Sequence, residues 1–235
     1  MNLPSIYKER EHNPVPERYK KHIGKQAISY STYNSFIEDG YRGSWFANKF
    51  LKLPSEGNIF TEYGSSVGNY QETGIIQPYL SDFDMSVLDK EYPANPNAEY
   101  EREVLIDMGE YVIYGFVDRI LGMETGELDI DDFKSGSIDK KASEYASEDY
   151  GQTTLYAHGL KLEGYKIKSS GVVLFDRKGN TLEEGHHNQL RLTGEIEKID
   201  TPYSEERAKK LLKKIDDVAK QISDYYTLYQ KIFVK

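Results

Sequence analysis

At 235 residues, with 30 Lys plus Arg against 39 Asp plus Glu and a net charge of −9, the chain is the size of one decorated domain with room for a substantial core. It has no cysteine, which excludes disulfides, thiolate metal sites and cysteine-held iron–sulfur clusters and suits the cytoplasm. No apolar run is long enough to cross a bilayer or form a signal-peptide core, and the acidity argues against a polyanion-binding surface spread over the whole molecule.

In chain order, residues 1–26 are polar, carry Pro4, Pro14 and Pro16, and read as an extended arm ahead of a single domain over 27–235. Helices are expected near 30–39 and 61–75. Pro78, Pro93 and Pro96 in an acidic stretch predict an irregular loop over 77–99. Strands near 100–108, 111–121 and 127–134 follow as a meander, linked at its second turn by Gly122-Met123-Glu124-Thr125-Gly126. A helix near 147–163 precedes strands near 165–176 and 188–199, which flank a turn at 176–180. Leu211, Leu212, Ile215, Val218, Ala219, Ile222, Tyr225, Tyr226 and Tyr229 then recur at helical spacing, with Thr201 or Ser204 as the cap.

The meander carries the chemistry. Gly115-Phe116-Val117-Asp118-Arg119-Ile120 ends one strand, and Asp131-Asp132-Phe133-Lys134 ends the next. Strand side chains alternate faces, so Asp132 and Lys134 share one face, which Asp118 reaches if the strands pair. Val112, Tyr114 and Phe116 have the parity of Asp118, and Leu128 and Ile130 that of Asp132, so both acids continue apolar faces. Partly buried carboxylates need compensation, and a divalent cation beside an ammonium supplies it. The bland alternative is a solvated hairpin edge, because an acid-any-lysine triplet arises often by chance.

With Gln152-Thr153-Thr154-Leu155-Tyr156 downstream, the array resembles the PD-(D/E)xK nuclease superfamily, and within it the RecB-like branch that includes lambda-type exonucleases. Spacing of four puts Gln152 and Tyr156 on one helix face. Gly64 and Glu72 match the branch's upstream helical motif, although Gly68 stands where many members carry a metal-binding histidine. Ser29, Ser31 and Phe36 echo a helix start near the front of such domains. The resemblance covers about 29–160. It implies an α/β fold (α+β, mixed sheet) with a restriction-endonuclease-like core, a central sheet flanked by helices and an added C-terminal amphipathic helix.

The resemblance also implies an activity and a ligand set. Asp118, Asp132, the main-chain carbonyl of Phe133 and Glu72 would hold Mg²⁺ or Mn²⁺, Lys134 would assist hydrolysis, and Gln152 and Tyr156 would position the backbone. There would be no iron–sulfur cluster. The expected function is metal-dependent DNA hydrolysis, as an exonuclease of recombination, repair or phage DNA processing. The DNA would present a free end or a single-stranded portion. Three alternatives stand beside it: an endonuclease of the same superfamily, a non-catalytic nucleic-acid-binding or assembly protein, and a hydrolase of a small phosphate ester.

Basic residues segregate to Arg18, Lys20, Lys21 and Lys25 and to Arg207, Lys209, Lys210, Lys213 and Lys214. Each run is either a track for nucleic acid or a solvated face. A homo-oligomer or a partner protein would add basic surface. Adjacent His186 and His187 point apart on a strand and read as hairpin surface rather than a metal pair.

Overall fold

A computed structural model describes residues 21–22, 25–39, 45, 59–179 and 190–233. His186, His187, Arg18, Lys20 and nearly all of the expected arm lie outside these residues. The elements are β1 (Gln26–Ser29), α1 (Tyr30–Asp39), α2 (Ile59–Thr73), α3 (Asp82–Glu91), β2 (Glu99–Asp107), β3 (Tyr111–Leu121), β4 (Glu127–Gly136), α4 (Ile138–Tyr145), α5 (Gln152–Leu162), β5 (Lys166–Lys178), β6 (Arg191–Asp200) and α6 (Glu205–Phe233). The strands pair in the order β1-β3-β4-β5-β6, with β2 on β3, as a mixed sheet. No helix among the described residues is long and apolar enough to cross a membrane.

Two compact units divide the chain. The first contains β1, α1, residues 103–115 and α6. Here β1 runs parallel to the start of β3, with Ala27 opposite Val112 and Ile28 opposite Ile113. The apolar stripe of α6 buries Leu211, Ile215, Val218, Ile222 and Tyr226, as its spacing predicts. Phe36 of α1 meets the buried Trp45 edge-on, with ring centroids 4.9 Å apart.

The second unit contains α2 to α5, β4 to β6, residues 99–102 of β2 and residues 116–121 of β3. Within it β4 lies antiparallel to β3 and parallel to β5, and β6 lies antiparallel to β5. One sheet face, with Phe133, Val173 and Phe175, packs against Tyr63 and Val67 of α2 and Leu88 of α3. The other, with Val172, Leu174 and Ile199, packs against Ile138, Ala142 and Tyr145 of α4 and against Tyr150.

Two expectations need correction. The stretch 77–99 is not one loop, because α3 occupies its middle. A capping box outweighs the flanking prolines: Ser81 Oγ accepts the Asp84 amide while Asp84 accepts the Ser81 amide at 2.9 Å. Asp84, almost fully buried, also accepts the Leu192 amide at 2.8 Å and so ties α3 to β6. The helix expected near 147–163 is α5, which starts only at Gln152 after a turn at Ser147–Tyr150, and α4 (Ile138–Tyr145) occupies a stretch for which no element was expected.

Candidate active site

The site is set by where β3 and β4 part. Their ladder runs from Leu121 opposite Asp129 to Arg119 opposite Asp131. One step further, where Asp118 faces Asp132, a side chain replaces the backbone partner, and Phe133 N–H donates to Asp118 Oδ2 at 2.5 Å. Asp118 is half-buried and Asp132 fully buried, as their apolar parity predicts. Asp132 Oδ2 accepts the Lys134 ammonium at 2.6 Å and the Tyr150 hydroxyl at 2.8 Å. Asp132 Oδ1 is buried with no hydrogen-bond donor.

These positions fix the charges. Burial first, and then the Asp132 charge, push the Asp118 carboxyl up to about 7, against weaker pulls from Lys134 and the Phe133 amide. Burial draws Lys134 down, but Asp132 and Asp118 outweigh it and hold the ammonium above the ordinary lysine range. Tyr150 and Tyr156 are driven far up by burial and by Asp132, so both hydroxyls keep their protons at any working pH. Glu101 adds its negative charge to Asp118, and it alone among the described non-glycine residues has a positive φ, 50°.

Gln152 and Tyr156 meet as the spacing predicts, with Gln152 Nε2 donating to Tyr156 Oη at 2.6 Å. The Tyr150 hydroxyl lies 3.3 Å from Gln152 Oε1, which connects this pair to Asp132. Glu72 is different. It is exposed, and its helix α2 lies on the Phe133 face, where a Cβ on Gly64 would stand 3.2 Å from Ser135 Oγ. Asp132 and Lys134 alternate to the opposite face, so the structure does not bring Glu72 to the two aspartates. A Cβ on Gly68 would meet open space, so that position does not supply a ligand either.

The neighbouring acid has another role. Asp131 is as buried as Asp132 but points to the other face, where Arg119 Nε donates to its Oδ2 at 3.1 Å and Lys198 Nζ lies 2.9 Å from its Oδ1. The Arg119 guanidinium also stacks over Tyr92 at 4.4 Å and donates to its hydroxyl. Arg119→Ala would leave a buried carboxylate with Lys198 as its one cation among the described residues. It is expected to destabilise the protein by about 3–5 kcal/mol, read as a drop in the urea midpoint.

Neither Asp131 Oδ1 nor Asp132 Oδ1 accepts a hydrogen bond, but among the described residues Lys198 is ion-paired with the first and no cation with the second, which stands beside a second carboxylate. Among the described residues no group of three His, Asp or Glu forms a metal cage by itself. Two hard carboxylates with one unpaired buried oxygen still suit a divalent cation that takes its other ligands from main chain, water or substrate.

A family model described as the PD-(D/E)XK nuclease superfamily matches residues 71–230. The chain belongs to this superfamily. No curated protein matches the chain. Among solved structures, a "putative exonuclease" from Eubacterium rectale superposes with a TM-score of 0.52 at 12% identity, covering 89% of this chain and 85% of that one. This likeness supports the restriction-endonuclease-like fold expected of a PD-(D/E)XK chain. A structure of SSO0001 matches at 18% identity over 85% of this chain and 80% of that one, with a TM-score of 0.37.

Asp118 and the Asp132-Phe133-Lys134 triplet are the two acids and the lysine that the structure brings together on one face. Sequence reasoning did not single out Tyr150, which sits in a turn with no periodicity to mark it. It also missed the Arg119–Asp131 pair, whose spacing across the hairpin was the available signal.

Proposed function

We propose that this PD-(D/E)XK nuclease is a metal-dependent deoxyribonuclease of the RecB-like branch, degrading DNA from an end. The observation that carries this reading is the Asp118–Asp132 pair, with Lys134 on Asp132 Oδ2 and Oδ1 left unpaired. Asp118, Asp132 and the Phe133 carbonyl would hold Mg²⁺ or Mn²⁺, whose preference for hard oxygens matches this donor set. When bound, the ion supplies a water of lowered pKa and polarises the scissile phosphate.

The chain's own groups do the rest. Lys134, held cationic by the two acids, offsets charge that develops on the phosphate oxygens and orients the attacking water. Tyr150 donates to Oδ2 of Asp132 and holds the carboxylate in place, so that Oδ1 would be left to a metal ion. Gln152 and Tyr156, bonded to each other, position the DNA backbone. The setting we infer is cytoplasmic recombination, repair or phage DNA processing. A second copy or a partner protein would add the basic surface that a chain of net charge −9 has in short supply.

The test is cleavage of end-labelled linear and closed circular DNA with Mg²⁺, Mn²⁺ or EDTA. Metal-dependent loss of the linear substrate alone is expected. Cutting of the circle would make the protein an endonuclease, and binding without cleavage would make it a non-catalytic member of the fold. Tyr150→Phe is expected to weaken Mn²⁺ binding by about 10–100-fold in calorimetric titration while the circular dichroism spectrum is retained.

A further inference from the structure

Glu101 of β2 has a φ of 50°, in the left-handed region that glycine or asparagine occupies at less cost, and no other described non-glycine residue shares it. Such a backbone persists only where its surroundings hold it, and outliers of this kind cluster at working sites. The hairpin fixes its place. The Met108 amide donates to the Tyr111 carbonyl at 3.0 Å and closes the link between β2 and β3. Counting equally along both arms from that bond brings Leu105 level with Tyr114 and Glu101 level with Asp118. Leu105, Val112 and Tyr114 pack together, so these alternating positions share one face.

Glu101 therefore stands on the face of Asp118, in the same unit as Asp118 and Asp132. Its negative charge is felt at the Asp118 carboxyl and at the Tyr156 hydroxyl. The residue is exposed, so its carboxylate approaches the two aspartates from the solvent side.

Three carboxylates on one face need more positive charge than Lys134 supplies. The Lys134 ammonium pairs with Asp132 Oδ2, and Oδ1 of that fully buried residue has no donor. That orphan oxygen, an observation independent of Glu101, points to a cation as its ligand. The acids do not close into a metal cage by themselves. A hard divalent ion keeps several waters when few carboxylates touch it, and those waters extend the reach of the centre to a carboxylate further out. Glu72 is not brought to this place, because α2 packs on the opposite face.

On the metal-dependent reading of the site, on which this rests, we infer that Glu101 is the third carboxylate of the metal centre. It holds a water of the ion bound by Asp118 and Asp132, and its left-handed backbone aims it there. Glycine would relieve that backbone and asparagine would tolerate it, but neither carries a negative charge.

The test titrates Mn²⁺ alone into the whole chain by calorimetry, without nucleic acid. Glu101→Gln is expected to weaken binding about 10-fold, as loss of an outer ligand does, and its melting temperature in EDTA should not fall. Glu101→Gly should weaken binding as much while raising the melting temperature in EDTA by about 2–4 °C, because the strain goes with the side chain. Asp132→Ala, which removes the centre itself, should abolish binding. Wild-type Mn²⁺ affinity in Glu101→Gln beside lost binding in Asp132→Ala would overturn the inference and leave the metal reading standing. A lower melting temperature of Glu101→Gln in EDTA would also overturn it, since the carboxylate would then be a partner within the fold. No Mn²⁺ binding by the wild type, or binding untouched by Asp132→Ala, would remove the metal reading and this inference with it.

Discussion

Lys134→Ala is expected to reduce DNA cleavage by about 10³-fold or more without unfolding the protein. Among the described residues the ammonium is the only side-chain cation on Asp132, at 2.6 Å from Oδ2, and its side chain is 26% exposed, open enough to meet a phosphate. Lys134→Arg should not rescue cleavage, because a planar fork cannot place one charge where the point charge of lysine sits. Asp132→Ala should give the same loss by removing the fully buried carboxylate itself. The two variants should differ without metal. Lys134→Ala leaves Asp132 buried with Tyr150 as its remaining partner, so its urea midpoint falls below that of Asp132→Ala. Cleavage at wild-type rate by either variant would refute the assignment of the site.

Asp118→Asn is expected to stabilise the metal-free protein at pH 8 while abolishing cleavage. The sign follows from proton linkage. Asp118 sits at about 7 in the folded chain against an ordinary 3.8, so the folded state holds this proton more tightly than the unfolded chain. Keeping Asp118 ionised therefore opposes folding. That penalty is absent below about pH 4, grows between 4 and 7, and is complete above 7. Discounted for solvent screening of a partly exposed side chain, it amounts to ~2 kcal/mol, or roughly 4–8 °C in melting temperature for a chain of this size. Asparagine retains an oxygen to accept the Phe133 amide. Thermal melts in EDTA at pH 4 and pH 8 decide the matter: the gain should appear only at pH 8, and added Mn²⁺ should favour the wild type. Equal melting temperatures at pH 8 would mean that neither burial nor the Asp132 charge opposes ionised Asp118.

The parts of this site that were legible in the sequence are those governed by a period. Strand alternation put Asp118, Asp132 and Lys134 on one face, and helical spacing joined Gln152 to Tyr156. Glu72 was misassigned because a motif gives a helix its residues but not the side of the sheet on which it packs. That choice is made by Gly64 against Ser135 and by Tyr63 and Val67 against Phe133. Tyr150 lies in an irregular turn that only the folded chain brings to Asp132. The box formed by Ser81 and Asp84 was visible in principle, but the prolines around it suggested a loop.

Asp131 and Asp132 are neighbours in sequence, yet the pleat assigns them to different trades. One bonds Arg119 and Lys198 and anchors the hairpin; the other faces Asp118 and keeps an oxygen open. Damage to the two therefore surfaces in different assays. A screen for soluble expression would discard Arg119 and Asp131 variants and pass Asp132 variants as healthy, while a screen for cleavage would merge broken folds with broken chemistry. Only the two read together would show that a single strand carries an anchor and a working group side by side, each able to change without rewriting the other.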